Sequence, residues 1–74
     1  MIEVFKTNVQ DWSHAERLLD QIHKVHLDYR ASFDLEDCDK ILRVECATRR
    51  IQPAWLIDLL RDFGYQAEVL EDCP

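Results

Sequence analysis

A chain of 74 residues is expected to make one small domain over 1–74, and 47% hydrophobic with 32% charged residues is the composition of a folded chain. The net charge of −6 opposes a phosphate backbone, and no basic stripe with interleaved aromatics offsets it, so nucleic acid is not an expected partner. No apolar run approaches the roughly 20 residues that span a bilayer. The charged start Met1-Ile2-Glu3 does not read as a secretory signal, so the expectation is a cytoplasmic chain without membrane insertion.

Residues 2–8 are rich in β-branched and aromatic side chains and predict a first strand. From about Trp12 to His26 the period changes: Ala15, Leu18, Leu19, Ile22 and Val25 recur at helical spacing, with charged residues opposite. Leu27, Tyr29, Ala31, Phe33 and Leu35 then alternate with Asp28, Arg30, Ser32, Asp34 and Glu36. That pattern predicts a strand with one buried and one wet face. The acidic segment 36–39 predicts a turn, and residues 40–47 a partner strand. A second helix follows, with Pro53 in its first turn and Leu56, Ile57, Leu60 and Phe63 as its core face. Gly64 fits its C-terminal cap, because a left-handed backbone costs glycine nothing. Residues 66–71 predict the last strand.

Strand-helix-strand-strand-helix-strand is a split βαβ arrangement. Right-handed crossovers put both helices on one face of the sheet. The predicted class is α+β, a ferredoxin-like βαββαβ sandwich with a four-stranded antiparallel sheet in the order 4-1-3-2.

Three features add a family resemblance: a first strand ending in Asn8-Val9, the run Phe33-Asp34-Leu35-Glu36 ahead of a hairpin turn, and Asp62-Phe63-Gly64-Tyr65-Gln66-Ala67-Glu68. Over nearly its whole length the chain resembles a heavy-metal-associated (HMA) domain, the module of copper chaperones and metal-transporting ATPases. That family carries a Gly-Met-Thr-Cys-x-x-Cys loop, whose two thiolates bind soft ions. Laid on this chain, Asn8, Val9 and Gln10 take the first three positions, and Asp11 and His14 take those of the two cysteines. The resemblance implies the fold and a degenerate site that lacks the thiol motif.

Asp11 and His14 are legitimate ligands for Zn(II), Ni(II) or Cu(II), and the topology brings the turn holding Cys38 to the same end, with the Gly64-Tyr65 loop. The competing reading is structural. Asp11 or Ser13 can cap the helix, and Ser13 to Glu16 fits a capping box. Capping accounts for these residues without a metal, so no cofactor is expected. Cys46 alternates with Leu42 and Val44 and reads as a small core hydrophobe. Cys73 reads as an exposed thiol, and the odd cysteine count is not a disulfide framework. His23 is expected in solvent, and His26 at the helix end, where positive charge suits the dipole.

With a single glycine the chain has no phosphate loop, and no nucleophile has a base beside it, so no enzyme is expected. The alternation instead points Val4 and Ile41 out from the open side of the sheet, joined by Leu70 and edged by Lys6, Arg43, Glu45 and Glu68. Trp55 and Leu59 lie beside the core face of the second helix. In the resemblance the metal loop also meets partner domains, which gives Trp12 and Tyr65 a docking role. The sequence therefore predicts a non-enzymatic interaction or regulatory module, its partner another protein or a second copy of the chain. The alternative is a divergent metal-handling protein using Asp11, His14 and Cys38.

Overall fold

A computed structural model describes residues 1–70. In chain order the elements are β1 (Ile2–Thr7), α1 (Trp12–Val25), β2 (Tyr29–Asp34), β3 (Ile41–Cys46), α2 (Pro53–Asp62) and β4 (Ala67–Val69). The strands form one antiparallel sheet in the order β2-β3-β1-β4. That is the predicted order read from the other edge, and the fold is the ferredoxin-like α+β sandwich. None of the described helices is long and apolar enough to cross a membrane.

The core lies between the sheet and the two helices. Ala15, Leu18 and Ile22 line one face of α1 at spacings of three and four, and Leu56 and Leu60 do the same on α2. Against them the sheet presents Phe5, Leu42 and Val44, all fully buried, with Tyr29 and Phe33 nearly so. Ile51, in the loop before α2, is also buried.

The helix ends follow local chemistry. Pro53 stands at the start of α2, where its missing N–H breaks no intrahelical bond. At the other end Gly64 has φ +89°. Its N–H donates to the Arg61 carbonyl at 2.9 Å, and the Tyr65 N–H donates to the Leu60 carbonyl at 2.8 Å, a glycine-terminated Schellman ending. The hairpin between β2 and β3 turns on Asp37, whose Oδ1 accepts the Asp39 N–H at 2.9 Å. Lys40 takes a left-handed backbone there (φ 48°), and its Nζ donates to the Leu35 carbonyl at 2.9 Å.

Several expectations are corrected. Leu27 is 88% exposed, because the Tyr29 N–H turns back to the His26 carbonyl and β2 starts only at Tyr29. Phe63 is 41% exposed, since α2 has ended at Asp62 and the chain turns at Gly64. The last strand is shorter than predicted, although the Leu70 N–H still donates to the Val4 carbonyl at 2.8 Å. Cys73 lies outside the described residues.

Candidate functional site

Three regions concentrate the side chains singled out by sequence. The first is the α1 N-terminus. Asp11 is the N-cap, and its Oδ1 accepts both the backbone N–H and the hydroxyl of Ser13, each at 2.8 Å. The backbone donor, then the hydroxyl, holds its carboxyl below the usual range. Ser13 is therefore the second helical residue rather than the cap, and the expected capping box with Glu16 does not form.

His14 Nδ1 is hydrogen-bonded to the Tyr65 hydroxyl, with ring centroids 5.7 Å apart. Asn8 Oδ1 accepts the Gln66 N–H at 2.8 Å, so one side chain of the β1–α1 loop and one of the first turn of α1 are bonded to the loop after α2. The bond from the Thr7 N–H to the Asp39 carbonyl holds the Cys38 turn at the same end, but among the described residues the thiol groups with Asp37 and Asp39, and neither Asp11 nor His14 joins them. This donor set does not fit the soft-ion chemistry of the HMA loop, because Asp11 and His14 stand at the two thiolate positions. Trp12 remains 53% exposed beside the loop, while Tyr65 is half-buried. A shallow groove next to this end is lined by Lys6, Asn8, Ile57, Arg61, Gln66 and Glu68, among others.

The second region is the sheet face turned away from the helices, where cross-strand register makes three rows. Arg30, Glu45 and Ile2 form one. Ser32, Arg43, Val4 and Leu70 form the middle row, Leu70 placed by its bond to Val4. Asp34, Ile41, Lys6 and Glu68 form the third. Val4, Ile41 and Leu70 are half-buried, Val4 and Leu70 side by side in the middle row and Ile41 one row away on β3, with Ile2 57% exposed in the first row. The polar members of the rows are all exposed. Lys6 also lies 3.8 Å from Asp39.

The third region, at the opposite pole from Asp11, was missed by sequence reasoning. Asp28, in the α1–β2 turn, receives the Arg49 guanidinium through Nε at 2.8 Å and Nη2 at 2.9 Å. It also accepts the Thr48 hydroxyl at 2.9 Å and, more weakly, the Cys46 thiol at 3.5 Å. Arg49, then Thr48, holds the Asp28 carboxyl far below the carboxylate range.

Arg49 Nη2 also lies 2.7 Å from His26 Nδ1. The His26 ring stacks on Tyr29 with centroids 4.3 Å apart and meets Trp55 edge-on at 4.4 Å. Burial, then Arg49, holds this imidazole below its ordinary range, against the opposing pull of Asp28. His26 is the C-cap of α1, at the helix end where the sequence placed it. Trp55 and Leu59, placed by sequence beside the core face of α2, are half-buried and packed on the core. His23 is exposed as expected, yet its Nε2 accepts the Ala31 N–H at 3.2 Å and so covers a donor on the β2 edge.

Cys46 is buried, as its alternation predicted, but the thiol-carboxylate contact had no sequence signal. Comparison with known proteins returns no matching family model, curated protein or solved structure.

Proposed function

We propose that the chain is a non-enzymatic HMA-like module without the thiolate metal site, and that its open sheet face binds a second copy of itself. The observation that supports this reading is the layout of that face. Two directions of a two-fold axis keep the strands of two facing sheets aligned. An axis parallel to the strands lays β2 over β4 of the second copy. It sets Asp34 against Glu68 and Val4 against Arg43, which places like charges together and a cation on an apolar residue.

An axis across the strands lays each strand antiparallel on its own counterpart. Val4 then meets Val4, Leu70 meets Leu70, and Arg30 of each copy meets Asp34 of the other. Arg43 meets its own counterpart, Glu45 meets Ile41 and Lys6 meets Ile2, so charge also falls on apolar residues here. The second arrangement is favoured by its two Arg30–Asp34 pairs and by the Val4 and Leu70 contacts.

The area sets the strength. Four strands at about 4.8 Å and three rows at about 6.8 Å cover roughly 400 Å² per copy. A standard interface takes about 800 Å² per partner, so this association is weak and concentration-dependent. Light scattering over rising concentration should show the mean mass climbing from 8.8 kDa toward twice that value. A mass that stays at 8.8 kDa up to the solubility limit sinks the reading.

The metal-handling alternative would use Asp11 Oδ2 and His14 Nε2, since Ser13 and Tyr65 engage only Asp11 Oδ1 and His14 Nδ1, but it needs Cys38 drawn from the group it forms with Asp37 and Asp39. No observed geometry favours it over self-association.

A further inference from the structure

The His26 pole has a property that the sheet face does not use. Arg49 has only donors, so its 2.7 Å contact with His26 Nδ1 requires that nitrogen to be the acceptor. The ring proton of neutral His26 therefore sits on Nε2, which is buried and has no hydrogen-bond partner among the described residues. A second proton could enter only at Nδ1, where it would point directly at an Arg49 N–H. The contact with Arg49 and the protonated ring exclude each other.

We propose that His26 is the trigger of an acid-released latch that fastens the β3–α2 loop and the start of α2 to the α1–β2 turn.

Arg49 is the bolt. It joins His26 and Asp28 across 23 and 21 residues of sequence, and its guanidinium carbon stands 5.4 Å from the Tyr29 ring centroid. The Tyr29 hydroxyl in turn accepts the Gln52 N–H at 3.0 Å, at the N-cap of α2. Once His26 is charged, Asp28 has two cations to choose between, and the imidazolium can take the place of the guanidinium. Arg49 then leaves, and the β3–α2 loop that runs on to Gln52 loses its tie to the α1–β2 turn.

The groups facing His26 come from every neighbouring element. They are Asp28 from the turn, Tyr29 from β2, Arg49 from the β3–α2 loop and the uncharged Trp55 from α2. Cys46 of β3 reaches the cluster only through Asp28. Of the charged groups, Arg49 disfavours the protonated ring and Asp28 favours it, and burial tips the balance toward the neutral form.

The direction in pH follows. The latched ring binds its proton more weakly than the released ring, whose affinity is near the ordinary value of about 6.5. The latch is therefore fully closed above that value and opens progressively as pH falls below it, until the latched ring itself is protonated. With one proton involved, the opening equilibrium rises about tenfold per pH unit across that window.

Two measurements on the folded chain test this. Amide hydrogen exchange at Gln52, corrected for intrinsic pH dependence, should lose protection about tenfold per pH unit below about pH 6.5. The His26 ring signals followed by NMR should titrate below that same value. His26→Phe keeps the stacking and should abolish the Gln52 step. Arg49→Gln removes the bolt and should leave Gln52 unprotected to the same degree at every pH, while its His26 ring titrates at higher pH than in the wild type. If the wild-type ring titrates at or above the ordinary imidazole value, the proposal is overturned even where a variant fails to fold. An unchanged Gln52 step in folded His26→Phe overturns it equally.

Discussion

Phe5→Ala should destabilise the domain by about 3–5 kcal/mol, the usual cost of emptying a buried phenylalanine site. Phe5 is fully buried on β1, an interior strand, with Leu42 and Val69 as its cross-strand partners. A domain of 74 residues has roughly 4–11 kcal/mol of stability in total. The loss therefore leaves the variant marginal or unfolded at room temperature. Urea unfolding of the two proteins measures it, and Phe63→Ala is the informative companion. Phe63 is 41% exposed beyond the end of α2, so its truncation should cost less than about 1 kcal/mol. Equal losses from the two substitutions would contradict the placement of the α2 face.

Val4→Glu should leave the fold intact and abolish self-association. Val4 points out of the sheet, so the carboxylate is solvated in the single chain. In the paired arrangement Val4 lies beside the two-fold axis, and the substitution sets two carboxylates against each other in a face that has lost water. Burial of unpaired like charge costs several kcal/mol, more than an interface of roughly 400 Å² can offset. Circular dichroism and sedimentation equilibrium read the two halves of the prediction separately. An increase in mass with concentration that survives the substitution would place the contact elsewhere, with exposed Trp12 the first surface to test.

Local patterns carried most of the fold. The alternation from Tyr29 to Leu35 is a two-residue period that only a one-sided strand explains. Gly64 marks the end of α2 because few other residues tolerate its φ of +89°. The same alternation misplaced Leu27, since periodicity does not reveal where a chain leaves a helix and turns. Phe63 failed similarly, lying one residue past a helix that had already ended.

At the α1 N-terminus both Asp11 and Ser13 are good caps by type. The choice between them depends on which residue first takes helical backbone, and the structure starts the helix at Trp12.

The His26 pole was illegible for a different reason. His26 and Arg49 lie 23 residues apart, and Asp28 and Thr48 lie 20 apart. Nothing local in either segment announces the other, and each residue taken singly has an ordinary surface explanation. Only the sheet pairing of Tyr29 with Cys46 brings the two segments together. On the open face the residues were legible one by one, but their grouping into rows needed the register. That grouping sets Arg30 and Asp34 one row to either side of Ser32, the spacing that the proposed two-fold pairing uses.

The most direct measurement mixes two variants. Arg30→Glu alone sets its new carboxylate against Asp34 of the second copy, and Asp34→Arg alone sets its new guanidinium against Arg30. Each variant by itself should remain at 8.8 kDa by sedimentation equilibrium. An equimolar mixture restores both opposite-charge pairs and should associate at least as strongly as the wild type. Two variants that stay monomeric when mixed, or that each associate alone as the wild type does, would contradict pairing through the open sheet face.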